Sequence, residues 1–327
     1  MAFVDDERRL FESSRTFYEL NPTTCPPESH PIPGWLFHAS DLALFLSMLE
    51  RLFSLVMAAV LANGMSAQTD TLWMVPGGVA LGGDTLAALR FCATPQFQAS
   101  NETLDGSLTS VVVVNGDSVA HELAWTAQEG TTWSVASGAS VELDMSGLGN
   151  ATHRLWSTTE RGQTLGLSTM VRSGWDDLPH YEWNLNEWDP EETWTLAEGW
   201  SLDPTAAYVP RQFTINDLNY PNTLADTSSY VQTSVGEAVY ISIVNQGRMD
   251  QVLHFHGYHV DMLQSSAHEN RVGWSKDTVP VKAGERVVVR LDPNQPGEYP
   301  VHAHNLVAVT NAGFYPGGMI TYLNVAP

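Results

Sequence analysis

Two cysteines in 327 residues leave little room for disulfide chemistry. Cys25 lies in a proline-rich leader, so a chain that loses its first 67 residues keeps only Cys92 and cannot form an intramolecular bridge. Basic residues are scarce too: 15 Lys and Arg stand against 37 Asp and Glu, for a net charge of −22. A surface that tracks phosphates needs clustered Lys and Arg, so nucleic acid is excluded as a partner. The acidic balance suits cations, and it keeps an exported protein solvated. Long apolar runs are also missing, and the stretch from Leu52 to Ala62, about 11 residues, is too short to span a bilayer. There is no Gly-x-Ser-x-Gly turn and no His-Glu-x-x-His helix, and "GGVALGGD" lacks the lysine a phosphate-cradling loop needs.

What is present begins with a leader. Residues 1–47 carry "NPTTCPPESHPIPGW" without periodicity, and Met48 then opens "MLERLFSLVMAAVLANGMSAQTD". A charged start at Arg51, a short apolar run and small residues near Ala67 have the layout of a secretory signal over 48–67. The expected location is secreted or periplasmic, with no membrane span in the mature chain. An anchor beginning at Leu42, or a cytosolic helix, is the alternative. Removing residues 1–67 leaves 29 acidic against 11 basic residues, so the acidity belongs to the mature chain.

From Leu72 onward the sequence reads as short β-like runs broken by glycine, asparagine and aspartate, such as "SLTSVVVVNGD", "HELAWTAQ" and "ASVELDM". A second set follows with "EAVYISIVNQG", "QVLHFHGYHVDML", "ERVVVRLDP" and "GMITYLNV". Strand signals at this spacing predict an all-β chain of sandwiches or barrels. The expected division is 1–67 leader, 68–178 first domain, 179–208 linker and 209–327 second domain. The linker is dense in tryptophan, and Trp175, Trp183, Trp188, Trp194 and Trp200 are expected to pack between domains.

The second domain carries two His-x-His pairs. Residues i and i+2 of a strand share a face, so His254 and His256 point together, as do His302 and His304. On neighbouring strands the four imidazoles converge. Imidazole suits copper or zinc, and the absence of carboxylates and thiolates inside the motifs argues against calcium, magnesium or an iron–sulfur cluster. His259 lies an odd number of positions from His256 and is expected on the other face.

The segments "FTINDLNYP", "LHFHGYHV", "GWSKDTVPV" and "GEYPVHAHNLVAVTNAGFYPGGM" resemble the last cupredoxin domain of a multicopper oxidase, over roughly residues 205–327. "VVVVNGDSVAHELAW" and "ATHRLWSTTERGQTLGLSTMV" resemble, more weakly, ligand segments of the family's first domain. The resemblance implies two cupredoxin-like Greek-key β-sandwich domains and copper as cofactor. It also implies that His254 matches a type 2 ligand and that His256, His302 and His304 match type 3 ligands. His121 falls in the first ligand strand, and His153 lies near a lost pair, either as a displaced ligand or on the surface.

Departures from the family pattern are as informative. Ala303 stands where the family places the blue-copper cysteine, and Gln251 and Ala308 stand where it places that copper's histidines. In the first domain Leu123, Trp156 and Thr158 occupy positions where histidine is expected. The resemblance implies about eight histidines for a trinuclear cluster and two more for the blue site, whereas nine histidines follow residue 67. Symmetric assembly does not fill the deficit, because n identical chains making n sites bring one chain's ligands to each. The expectation is therefore an exported copper-binding protein with a histidine-only site at His254, His256, His302 and His304, to which His121 is added as a candidate. The expected activity is that of a copper-dependent oxidoreductase, multicopper-oxidase-like with an incomplete ligand set and no type 1 copper, and the expected associates are a redox partner or a homo-oligomer. The alternatives are a non-catalytic copper-scavenging module and a degenerate scaffold.

Overall fold

The computed structural model describes residues 69–327, and the leader, including the signal-like segment 48–67, lies outside them. Alternation of side chains builds the strands. "SVVVVN" buries Val111, Val113 and Asn115 and turns the residues between them outward. "QVLHF" likewise buries Gln251, Leu253 and Phe255 and leaves Val252 and His254 on the other face.

Nine strands form a first sandwich. In chain order they are β1 (Thr69–Leu81), β2 (Asp84–Cys92), β3 (Leu104–Asp105), β4 (Ser110–Asn115), β5 (His121–Trp125), β6 (Thr132–Val135), β7 (Ser140–Asp144), β8 (Ala151–Ser157) and β9 (Ser168–Ser173). One sheet has the order β2-β1-β4-β7 and the other β3-β9-β8-β5-β6. Leu72, Leu89, Val111 and Val113 of the first sheet meet Leu123, Leu155 and Val171 of the second in one buried core. A short helix α1 (Glu160–Thr164) links β8 to β9, capped by the Thr159 side chain, which accepts from the Gly162 N–H.

The second sandwich contains β10 (His180–Trp188), β11 (Gln212–Ile215), β12 (Val231–Ser234), β13 (Val239–Asn245), β14 (Gln251–Phe255), β15 (Val260–Ser265), β16 (Ser275–Lys276), β17 (Thr278–Val281), β18 (Arg286–Leu291), β19 (Gly297–Ala303) and β20 (Ile320–Ala326). Its sheets run β11-β10-β13-β18-β15-β16 and β12-β20-β19-β14-β17. The five-stranded sheets of the two sandwiches follow the same plan, with β5 and β8 of the first matching β14 and β19 of the second. The pairings Leu123↔Ser157 and Leu253↔Ala303 fix the register of that match.

Residues 179–208 are built into this architecture. Strand β10 pairs in parallel with β13 and antiparallel with β11, which places it inside the larger sheet of the second sandwich. Helix α2 (Pro190–Ala197) follows, where Asp189 accepts from the N–H groups of Glu191 and Glu192 and proline takes the first position. The tryptophans divide accordingly. Trp183 is fully buried and stacks on Phe255, with ring centroids 5.8 Å apart, and Trp188 is also buried. Trp194 and Trp200 are exposed.

Trp188 joins the sandwiches. It packs with Val79, Leu81, Leu86 and Ala88 of the first, and its indole N–H donates to Thr214 Oγ1 at 3.2 Å. Arg90 reaches across the same junction: fully buried, it lies 4.8 Å from the Trp188 ring and pairs with Asp217 at 3.2 Å. Gly166 admits this packing, since a Cβ there, at φ +78°, would stand 2.1 Å from the Trp188 ring.

Candidate metal centre

The two His-x-His pairs meet on one face of one sheet. Strands β14 and β19 are antiparallel neighbours, and His254 lies directly opposite His302 in the ladder. The flanking pairs, Leu253↔Ala303 and Phe255↔Val301, turn the other way, and all four of these residues are fully buried in the core. The pleat therefore puts the imidazoles on the outer face of the sandwich, where His254, His256 and His302 are half-buried and His304 is exposed. Ring centroids lie 4.6 Å apart for His254 and His256, 5.0 Å for His256 and His302, 5.8 Å for His254 and His302, and 6.0 Å for His254 and His304.

Backbone contacts orient two of the rings. His254 Nδ1 lies 3.2 Å from the Asp277 carbonyl and 3.3 Å from Thr278 Oγ1. His302 Nδ1 lies 3.0 Å from the Ala303 carbonyl. A ring whose Nδ1–H is held by a carbonyl presents its Nε2 lone pair outward, the arrangement common in metal-ligating histidines. The Nε2 atoms of His256 and His302 face one another at 2.9 Å, so one donates to the other. Burial, reinforced by neighbouring His302 and His254, pushes His256 down to about 4, which keeps it neutral at ordinary pH. The donor set is four imidazoles with no carboxylate among them, a chemistry that fits copper. Among the described residues no group of three or more His, Cys, Asp or Glu side chains is placed so that it could hold a metal ion as it stands.

Comparison with known proteins bears directly on this segment, because a family model described as multicopper oxidase matches residues 201–316. Over these residues the chain is similar to the multicopper oxidases. Solved structures share its fold. A blue copper oxidase from Nitrosomonas europaea aligns with a TM-score of 0.65 and 17% identity over 79% of this chain and 85% of that one. The multicopper oxidase mgLAC aligns at 0.64 and 16% identity over 79% and 86%. A copper nitrite reductase from Nitrosomonas europaea aligns at 0.60 and 16% over 80% and 94%. No curated protein sequence matches the chain.

The first sandwich differs from the second in its equivalent positions. Matching β5 to β14 and β8 to β19 sets Ala124 opposite Trp156 where the second sandwich sets His254 opposite His302. His121 falls at the position equivalent to Gln251, on the core-facing side of its strand, and is fully buried. The structure does not bring it to the other four histidines. Its Nε2 lies 3.0 Å from Asp117 Oδ2, and its Nδ1 lies 3.2 Å from Ser157 Oγ and 3.1 Å from Thr159 Oγ1. Arg161 pairs with the same Asp117 at 2.8 Å. Burial works against the Asp117 charge, but hydrogen bonds from His121 and Arg161 outweigh it and hold its carboxyl well below the usual range. Both ring nitrogens of His121 thus have protein partners.

His153 is half-buried beside Trp125, with ring centroids 5.3 Å apart and its Nε2 lacking a hydrogen-bond partner. His259 is exposed in the turn after β14. In the core of the second sandwich Gln251, Ala303 and Ala308 are all fully buried, and both amide atoms of Gln251 lack hydrogen-bond partners.

Proposed function

We propose that the protein is an exported copper-binding member of the multicopper oxidase superfamily that holds copper at His254, His256, His302 and His304 and has no blue-copper site. The observation that carries this reading is the direct cross-strand pairing of His254 with His302, with His256 and His304 on the same face. When bound there, copper supplies one-electron redox chemistry. The chain's contribution is to hold His254 and His302 on paired strands, with His256 and His304 one residue past the strand ends. It also engages Nδ1 of His254 and His302 with backbone carbonyls so that the Nε2 atoms remain to coordinate. The exposed His304 leaves the centre accessible to a redox partner or a second copy of the chain.

The reading of a missing blue site rests on Ala303, which has no thiolate, and on Gln251 and Ala308 in place of imidazoles. A non-catalytic copper-binding or scavenging role is favoured over turnover by one observation: Ala124 and Trp156 of the first sandwich stand where His254 and His302 stand in the second. That sandwich brings no second histidine pair to complete a multinuclear cluster. Metal analysis of protein purified from its natural compartment without added copper tests the proposal. About one copper per chain supports it; a metal-free protein that takes up no copper refutes it. Export is tested by sequencing the N-terminus of the exported fraction, which should begin between Met65 and Gln68, whereas intact Met1 would refute it.

A further inference from the structure

A second site lies away from the histidines, in a cleft of about 360 Å³ between the two sandwiches. Arg154 and Trp156 of β8 form one wall, and Glu187, Tyr208, Gln246 and Arg248 form the other. Its size falls at the lower end of the range of small-molecule pockets, roughly 300–1,000 Å³.

The decisive group is Glu187, which is 4% exposed. Its Oε1 accepts from the backbone N–H groups of Arg248 (2.5 Å) and Met249 (2.8 Å) and from the Tyr208 hydroxyl (3.2 Å). Its Oε2 is buried and has no hydrogen-bond partner. A carboxylate oxygen left so is costly unless something else supplies a donor. Gly247, which also lines the cleft, lets the carboxylate come this close: a Cβ there would stand 2.0 Å from Oε2. Gly247 does not sit at positive φ, so its backbone conformation does not demand glycine.

The charges around the cleft select the ligand. Arg248 is engaged by Glu192 and lies 3.6 Å over the Tyr208 ring. Arg154 is engaged by Ser168 Oγ at 2.8 Å and the Gln246 carbonyl at 3.3 Å, and lies 5.1 Å from the Trp156 ring. With Asp189 also in the wall, three carboxylates face two guanidiniums that already have partners. We propose that this cleft binds a small organic cation, a primary amine, whose ammonium donates to Glu187 Oε2 while its carbon chain lies against Trp156 and Tyr208.

Titration with n-butylamine, followed by NMR on the whole protein, tests the proposal, with n-butanol as the neutral isostere. Saturable shifts at the Trp156 indole are expected with the amine. Glu187→Gln keeps the shape and removes the charge, and should weaken binding by about tenfold or more. A second arm uses the unaltered protein. Burial pushes the Glu187 carboxyl up despite the N–H groups of Met249 and Arg248 and the Tyr208 hydroxyl. The amine binds the ionised form, so its affinity should fall as pH drops through that raised value, with Arg154, Arg248, Asp189 and Glu192 as the other charges facing the cleft. Three outcomes overturn the proposal: no saturable binding of butylamine, equal binding of butanol, or equal amine uptake by E187Q, which would place the amine on surface carboxylates.

Discussion

Replacing Asp217 by Asn should loosen the junction between the sandwiches. Asp217 faces Arg90, whose guanidinium is fully buried, at 3.2 Å, and its other oxygen accepts from the Asn101 backbone N–H at 3.2 Å. Asn preserves the side-chain shape and tolerates the φ of +59° at this position, so the change removes the charge and turns one of two accepting oxygens into a donor without disturbing the backbone. Arg90 would keep the carbonyls of Leu165 (2.9 Å), Leu89 (3.2 Å) and Ala99 (3.2 Å), but would lose its only anion among the described residues. Leaving a buried charge without its partner costs about 3–5 kcal/mol, and the three carbonyls put the expected value near the lower end, about 3 kcal/mol. For a body of this size that is a fall of roughly 6–12 °C in melting temperature. Chemical denaturation followed by circular dichroism reads it. The double variant R90M/D217N should recover much of the loss, because removing both members leaves no buried charge. A loss below about 1 kcal/mol for D217N, or additive effects in the double-mutant cycle, would refute the claim that this pair holds the junction.

Two further outcomes follow from buried groups. Burial pushes His153 and His180 down to about 4, with Arg286 and Arg172 respectively adding to the shift. A histidine depressed in the folded state stabilises above its unfolded value, near 6.5, and that stability is lost as pH falls towards 4. After discounting for residual water contact, each should contribute about 1–2 kcal/mol of acid sensitivity, so H153Q/H180Q should lose less stability than the parent between pH 7 and 4.5. An unchanged difference would show that the rings titrate normally. The copper-loaded protein should lack the intense thiolate band near about 600 nm, because Ala303 carries no sulfur; a strong blue band would mean that Cys92 or another arrangement had been recruited.

The sequence made the strands legible wherever alternation was clean. "SVVVVN" and "QVLHF" sort their side chains by parity, and that parity alone set His254 with His256 and His302 with His304 on shared faces. Pairing β14 against β19 is a tertiary fact that parity allows but does not specify. The stretch from His180 to Trp188 was harder to read, because its last six residues are buried without alternation, as befits a strand between two others in a covered sheet. His121 illustrates the same difficulty. "HELAW" buries four of its five residues, so its pattern does not reveal which face looks into the core, and the hydrogen-bond partners Asp117, Ser157 and Thr159 converge on it only in three dimensions. The cleft around Glu187 carried no sequence signal at all. A glutamate between Asn186 and Trp188 reads as solvated, and only the packing of β10 against the turn at Gly247 buries it.

Copper binding by the parent and by H256A/H302A, measured by equilibrium titration with electron paramagnetic resonance of the bound metal, bears most directly on the proposed centre. The strands exist without the rings, so the double variant should fold as the parent does. It should lose the tight site, and the parent's spectrum should report nitrogen ligands. Equal uptake by both proteins, with a spectrum of oxygen ligands alone, would put the copper on the acidic surface and contradict a histidine centre on β14 and β19.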